Sequence, residues 1–592
     1  MKVLLNTLNS KFIHSSLSIR YIKEYCNDLD INIEVNEYTI NQNADFIAGE
    51  IFKKDPKVVA FSCYIWNIEK ILYIAKLLKK VKSNIKIILG GPEVSFNSEN
   101  ILKENPYIDI IVYGEGEKTF KELLWTYKNN KQIKDIDGIV YREKNEIIKS
   151  SPRELIDNLD SIPSPFNEDL KEYKNKIVYY ESSRGCPFNC KFCLSSTIKG
   201  VRFFSIERVK NDLKKLIDAG VKQVKFVDRT FNTNKEFALD IMKFVISENP
   251  KNINFHFEVT AHLIDEEMLD FLKNVPEGLF QFEVGVQTTN EKAIKAIGRT
   301  TDFNKLSSVV KKIKEFQNIH QHLDLIAGLP FEDYESFKKS FNDVYNLSPD
   351  KLQLGFLKLL KGSELRKLKE EYGFKYINKP PYEVIENDFI KYKEMLKLKT
   401  IEDLVEKYAN EISFKNTVKF IINNFHSTPF EFYSDFASFW EKNNYHLISH
   451  SKKKLYKIIY KFYKEEIEKY IDLFNEVIKY DYLYDNHTNV LPDYITCYDT
   501  EYIKQARHNF LQNKKYLNKY LDKFKDKPAK KIINKVHFES FTINIISFIK
   551  NDLYIDKLNK EDTIVLFDYS NKKRVFTRAN VYNVTKEFKK EG

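Results

Sequence analysis

"ESSRGCPFNCKFC", residues 181–193, puts Cys186, Cys190 and Cys193 at C-x3-C-x2-C spacing, directly after an apolar run. These are half of the chain's six cysteines; Cys26, Cys63 and Cys497 are scattered. A disulfide framework would show many cysteines in a short secreted chain. The opening "MKVLLNTLNS" reads as a strand, without the charged and apolar regions of a signal peptide. No apolar run reaches the roughly 18 residues of a membrane helix. The expected setting is therefore the reducing cytosol, with no membrane span, where clustered cysteines serve metal binding or catalysis.

Three neighbouring thiolates bind a soft metal. A structural zinc site closes four ligands, usually Cys and His. No histidine lies between His14 and His256, and Cys63 is far upstream, so a local fourth ligand is absent. An iron–sulfur cluster usually takes four cysteines. Three leave one iron open, and an open iron is a substrate site.

The flanking sequence predicts a repeating strand–helix pattern. Strand-like runs recur at 177–185, 222–228, 253–259, 279–287, 322–330 and 351–357, with helical patterns between them. Six β/α units make a partial barrel, whose function belongs at the carboxyl ends of the strands. Residues 1–150 predict a separate doubly wound parallel sheet. Its strands are "KVLLN" (2–6), "INIEVNEYT" (31–39), "KVVAFSC" (57–63), "IKIILGG" (85–91) and "IDIIVYG" (108–114), with helices near 15–28 and 68–82. Such sheets bind ligands beyond their carboxyl strand ends. Gly90-Gly91 and Gly114-Glu115-Gly116 there allow close backbone approach. Neither G-x-G-x-x-G after the first strand nor G-x-x-x-x-G-K-[ST] is present, which excludes the nicotinamide fingerprint and the P-loop.

The order "SCYIWN…GGPEVSF…YGEGEKTF" resembles the cobalamin-binding domain that precedes many radical SAM enzymes. By that resemblance Ser62, Gly90, Gly91 and Pro92 hold the cofactor's nucleotide tail, and Glu115 and Gly116 match a motif after the fifth strand. The chain departs from relatives carrying D-x-H-x-x-G after the first strand. Its loop reads "FIHSSL", so a polar loop residue rather than His14 is the expected lower neighbour of cobalt. A sheet that has lost its ligand and serves as a lid is the bland alternative.

The cysteine spacing, with Phe192 before the last cysteine, resembles the radical SAM superfamily. The resemblance implies a [4Fe–4S] cluster on Cys186, Cys190 and Cys193 whose open iron chelates S-adenosylmethionine. One electron then cleaves the cofactor to a 5′-deoxyadenosyl radical. It also implies an electron donor such as flavodoxin or ferredoxin. Phe192 is expected along adenine. Asp228, in "VDRTFN", is expected at the S-adenosylmethionine amino group or the substrate, although the usual Gly-Gly-Glu is missing. Glu283 and Gln287, in "FEVGVQ", are expected at ribose and carboxylate. Arg299 is a carboxylate partner, and Gly328 and Pro330 of "LIAGLPFE" approach adenine. Glu258, on the same strand face as His256, is a candidate for ribose or substrate. The alternative for Glu283 is a plain ion pair with a lysine.

Beyond "NKPPYEVIEND" (378–388) long Lys/Glu/Tyr/Leu segments show helical spacing to about 480, and alternating stretches after 534 predict a small sheet. This resembles the uncharacterised C-terminal region of one cobalamin-type radical SAM subfamily. The expected domains are 1–150, a linker at 151–175, the barrel at 176–390, and a mainly helical region at 391–592. That last region holds 37 Lys and Arg against 28 Asp and Glu, most of the chain's net charge of +11. A nucleic-acid partner is one reading. An AT-rich composition with lysines among acids along the whole chain is the preferred one.

Three functions are weighed. A cobalamin-dependent radical SAM enzyme leads, with methyl transfer to an unactivated carbon as its commonest outcome and rearrangement or cyclisation as variants. A tRNA methylthiotransferase needs three N-terminal cysteines, and only Cys26 and Cys63 precede the triad. A non-catalytic iron–sulfur and cobalamin sensor would not need the S-adenosylmethionine-facing motifs.

Overall fold

The computed structural model describes every residue except 145, 168, 489, 497–499, 571–577 and 592. Cys497 and residues 571–577, within the stretches after 534 that predict a small sheet, thus lie outside the described residues. The chain forms two compact units, one of Met1–Phe337 with Gly355–Tyr392 and one of Lys338–Leu354 with Lys393–Gly592.

The first unit opens with strands β1 (Lys2–Asn9), β2 (Asn32–Thr39), β3 (Val58–Ser62), β4 (Lys86–Gly90) and β5 (Ile110–Val112). They are joined by parallel ladders in the order β2-β1-β3-β4-β5. Two further strands, β6 (Ile139–Glu143) and β7 (Glu146–Lys149), extend the sheet antiparallel beyond the five expected. Residues alternate between two apolar faces: Leu4, Val59, Phe61, Ile87 and Leu89 fill one core, and Val3, Leu5, Val58, Ala60 and Ile88 the other. Burial on both faces is why these strands read as nearly continuous apolar runs. The strand order reverses between β1 and β3, and at such a switch point the loops diverge and leave a crevice.

A second parallel sheet carries β8 (Ile177–Tyr180), β11 (Gln223–Phe226), β12 (Asn254–Glu258), β13 (Phe280–Gln287), β14 (His320–Ala327) and β15 (Lys351–Phe356). Their order is β15-β14-β13-β12-β11-β8. The run at 177–185 is not one strand. It breaks after Tyr180, and Ser183–Gly185 (β9) pairs instead with Val201–Phe203 (β10) in an antiparallel hairpin. The buried Asp228 carboxylate causes the break, accepting hydrogen bonds from Ser182 N, Ser182 Oγ and Ser183 Oγ at 3.0, 2.6 and 2.5 Å. In β13, Phe280, Phe282, Val284 and Val286 are fully buried, whereas Gln281, Glu283, Gly285 and Gln287 on the other face are less so. That second face carries ion pairs and hydrogen bonds rather than the branched apolar layers usual in closed barrels.

In the second unit, helices at Lys415–Phe425, Pro429–Lys442, Lys452–Phe462 and Ile471–Asp485 precede a three-stranded antiparallel sheet of Val536–Phe541, Thr563–Asp568 and Asn580–Asn583. The helix Ile471–Asp485 is buried all round, including Glu476, Lys479 and Asp481. Lys479 reaches Glu476 and Glu539 at 3.4 and 3.7 Å and donates to Ser540 O at 2.8 Å. Glu539, which resembles a surface residue in the sequence, is thus a buried ion-pair partner. Among the described residues no helix is long and apolar enough to cross a membrane.

Candidate active site

The cysteine loop is pinned on several sides. Lys191 N donates to Ile297 O at 2.9 Å, and Leu365 N donates to Lys191 O at 2.9 Å. Gly298 adopts φ +71°, and a Cβ there would lie 2.9 Å from Asn189 O, so only glycine lets this turn abut the loop. Nothing in the sequence marked Gly298 beyond its place before Arg299. The three thiols are half-buried. Burial pushes the Cys190 thiol up, Arg299 pulls it down, and negative charge on Cys193 and Cys186 pushes it up again, so the three sulfurs feel one another. Cys186 Sγ lies 3.6 Å from Thr230 Oγ1, and Ser195 N donates to Cys193 Sγ at 3.4 Å. Among the described residues no group of His, Cys, Asp or Glu is gathered around a single metal ion. Three thiols in one loop, with no His, Asp or Glu among the described residues completing a ligand group, are a donor set that fits an iron–sulfur cluster with one open iron.

Arg299 stands beside this loop. Its Nη2 donates to Gly285 O at 2.9 Å, and Nη1 lies 4.0 Å from Cys190 Sγ. Gln287, in the left-handed region at φ +72°, folds back over Gly285, where a Cβ would meet its amide nitrogen at 2.3 Å. Its Oε1 is buried without a hydrogen-bond partner. An orphaned buried acceptor carries a desolvation penalty that a bound donor would remove, which fits S-adenosylmethionine at this position. Gly328, at φ +88°, presents its carbonyl to Asn387 Nδ2 at 2.9 Å, and Pro330 is buried. Phe192 packs against the apolar cluster that contains Leu329, Leu357 and Leu365.

Below these residues the polar face forms a connected network. Glu283 accepts from Lys225 Nζ at 2.9 Å, and its carboxylate lies 2.8 Å from His256 Nε2, an ion-pair contact when the imidazole is protonated. Gln281 links His256 and His322. Burial alone would raise the Glu283 carboxyl, but His256 and Lys225 outweigh it and hold it at about 2. Glu258, the neighbour of Glu283 in register, is pushed up by burial to about 7, with Arg229 opposing. The plain ion pair weighed for Glu283 is thus present; Lys225, His256 and Gln281 had no signal as a set until the register brought them level.

At the first sheet, Ser62 ends β3 and its Oγ lies 3.1 Å from Ser18 Oγ. Gly90 ends β4, Gly91 adopts φ +104° with a Cβ position only 2.7 Å from Cys63 O, and Pro92 opens a short helix. Phe12, Ile13, Trp66 and Phe96 are exposed on loops at these strand ends. An apolar rim around glycine loops at a switch point fits a large flat cofactor such as cobalamin. His14 contacts the second sheet. Its Nδ1 is 2.8 Å from Tyr179 Oη, and its loop joins β8 through Ile177 N and Ser15 Oγ. Glu115 stands at the N-terminal boundary of the helix Gly116–Lys128, and its carboxylate is held by Arg202 at 2.7 Å, Arg184 at 3.3 Å and Ile156 N at 2.9 Å. Cys26 and Cys63 are 1% and 0% exposed, and burial raises both thiols, Cys26 to about 12.

A doubly wound domain with glycine loops, joined in one compact unit to a partial barrel carrying an open three-cysteine loop, defines a class: radical SAM enzymes with a cobalamin domain. Comparison with known proteins bears this out. Residues 3–124 match the B12 binding domain, 180–344 the Radical SAM superfamily, and 370–567 a family described as "Protein of unknown function (DUF4080)". The chain is 32% identical over 315 residues to "Uncharacterized methyltransferase PH0819" of Pyrococcus horikoshii, covering 52% of this chain and 68% of that protein. It is 25% identical over 354 residues to "Cobalamin-dependent radical SAM methyltransferase TokK" of Streptomyces tokunonensis, covering 55% of this chain and 51% of that protein. Among solved structures the fold is shared with OxsB bearing aqua-cobalamin (TM-score 0.58, 16% identity, 81% of this chain and 80% of that one). It is shared too with TsrM of Kitasatospora setae (TM-score 0.55, 16% identity, 62% and 78%). The chain belongs to the cobalamin-binding radical SAM family, and its cofactors are a [4Fe–4S] cluster, S-adenosylmethionine and cobalamin.

Proposed function

We propose that the protein transfers a methyl group to an unactivated carbon of its substrate. The observation that supports this reading is the ion pairing of Arg184 and Arg202, on the hairpin before the cysteine loop, to Glu115 and Glu117 after β5 of the first sheet, within one compact unit. The methyltransferase names of the Pyrococcus and Streptomyces relatives agree with it. Bound there, the cluster with S-adenosylmethionine supplies a one-electron route to a substrate radical, and cobalamin supplies a methyl carrier. In this reading Cys186, Cys190 and Cys193 hold the cluster. Arg299 and Gln287 orient S-adenosylmethionine by its carboxylate and a polar hydrogen. Ser62, Gly90, Gly91 and Pro92 hold the nucleotide tail of cobalamin with Gly116 beside them, and Gly328, Pro330 and Phe192 shape the adenine side. Asp228 holds Ser182 and Ser183 so that the chain leaves β8 toward the cluster. Glu283 fixes Lys225 and His256 beneath the reacting groups.

Anaerobic protein, reconstituted with iron, sulfide and cobalamin and given reductant and S-adenosylmethionine, tests the reading against fractionated metabolites. Methyl transfer to carbon by this route forms both S-adenosylhomocysteine and 5′-deoxyadenosine as substrate is consumed. Formation of 5′-deoxyadenosine alone would move the protein to the cyclisation reading, which relatives named "Anaerobic magnesium-protoporphyrin IX monomethyl ester cyclase" make the second choice. The buried positions of Cys26 and Cys63 argue against a second cluster and hence against methylthiolation.

A further inference from the structure

Arg184 stands two residues before Cys186 and is 12% exposed, yet it faces three carboxylates. Its Nη2 is 2.6 Å from Glu117, its Nη1 3.3 Å from Glu115 and its Nε 3.0 Å from Glu181. The Tyr21 ring from the first domain lies 5.7 Å from the guanidinium. Across the β9–β10 hairpin Arg184 pairs directly with Arg202. Two like charges opposite one another in a ladder repel, so this hairpin does not favour its own register. Glu115 resolves the conflict by binding both arginines at once. The hairpin that launches the cysteine loop is therefore completed by acids from the other domain. Its last residue, Gly185, permits no slack: at φ +104° a Cβ would fall 2.1 Å from Gly200 O. On the other side, Glu115 lies between Gly114 and Gly116, the latter placed above beside cobalamin.

We infer that Glu115, Glu117, Arg184 and Arg202 are positioning residues that couple the two cofactor sites, so that occupancy of the corrin crevice changes how firmly the cysteine loop holds its cluster. The inference rests on the proposed place of cobalamin. The physical route is short. Movement of the Gly114–Gly116 backbone moves the Glu115 carboxylate, which moves both arginines of a hairpin whose facing arginines repel. Cys186 follows one residue beyond the strand. Coupling between sites is reciprocal, so the cluster must equally affect retention of cobalamin.

The test uses the full chain, reconstituted with iron and sulfide, with and without hydroxocobalamin. Iron release to a ferrous chelator is timed in both states, and cobalamin affinity is titrated with and without cluster. In the wild type, cobalamin slows iron release, and the cluster tightens cobalamin binding, each by about five-fold or more, the lower end of ordinary allosteric coupling. Glu117→Gln, which removes one arm of the clamp, brings both factors toward one while both cofactors still bind. Glu117→Asp restores part of the factor. The reduced cluster's electron paramagnetic resonance spectrum, which shifts on cobalamin binding in the wild type, is insensitive to it in Glu117→Gln. Should Glu117→Gln fail to fold, Arg202→Gln at the rim of the clamp serves the same comparison. Wild-type cobalamin binding with no effect on iron release or spectrum overturns the coupling and leaves the proposed function standing. Failure of cobalamin to bind the wild type overturns that earlier reading instead. A Glu117→Gln protein that keeps the full factor also overturns the inference.

Discussion

Glu283→Gln removes the one carboxylate that both Lys225 and His256 approach, at 2.9 and 2.8 Å. The change keeps the shape of the side chain and deletes its charge. Two routes give its cost. The carboxyl is held at about 2 against an ordinary 4.5, and at 1.36 kcal/mol per pKa unit this is about 3 kcal/mol. Removing one partner of a largely buried ion pair costs roughly 3–5 kcal/mol, because the other charge stays behind unpaired. The Glu283 and Lys225 side chains are 20% and 24% exposed, so the lower figure is preferred. Because the folded-state pKa is depressed, this stabilisation is present above pH 4.5 and is lost as pH falls from there toward about 2. Hydrogen exchange of peptides covering 280–287 reads the effect locally. At neutral pH, about 3 kcal/mol corresponds to exchange from the opened state about a hundred-fold faster than in wild type. Glu283→Gln with Lys225→Met removes both charges and should recover most of the loss, since an apolar replacement of a whole buried pair is nearly neutral. Exchange within about two-fold of wild type in the single variant, or a double variant as labile as the single, would refute the argument that charge pairing organises this face.

Three other outcomes are expected. Gly91→Ala forces a Cβ to 2.7 Å from Cys63 O at φ +104°; cobalamin retention should fall about ten-fold or more, read by gel filtration and absorbance, with iron content unchanged. His14→Ala should leave the cob(II)alamin paramagnetic resonance spectrum without loss of any nitrogen splitting, because its loop, "FIHSSL", lacks the Asp and Gly of D-x-H-x-x-G. Lys479→Met strands Glu476 and Glu539 in a buried site; it should destabilise the second unit by about 3 kcal/mol in denaturant unfolding while iron and cobalamin contents stay at wild-type levels.

What the sequence by itself determined is local chemistry and period. Cys186, Cys190 and Cys193 stand within eight residues of one another, so their use needs no knowledge of the fold. The apolar runs of β1, β3 and β4, buried on both faces, declare a parallel sheet, and the glycines at their ends declare where a ligand approaches. The tertiary structure decided which polar groups meet. Arg184 contacts Glu117 from 67 residues away and Arg202 contacts Glu115 from 87. A glutamate beside a glycine loop looks in sequence like a ligand residue, and only the arriving hairpin turns its carboxylate into a clamp. The run at 177–185 has strand composition throughout, yet Asp228, some 45 residues on, captures Ser182 and Ser183 and divides it. Lys479 and Glu476 look in sequence like an ordinary i,i+3 pair on an exposed face, with nothing local to show that the whole helix is enclosed; the second partner, Glu539, comes from a strand of the following sheet. Side-chain periodicity reports the surroundings of a residue averaged over an element. The pairing of two charges depends on chain closure over tens of residues, which no local pattern encodes.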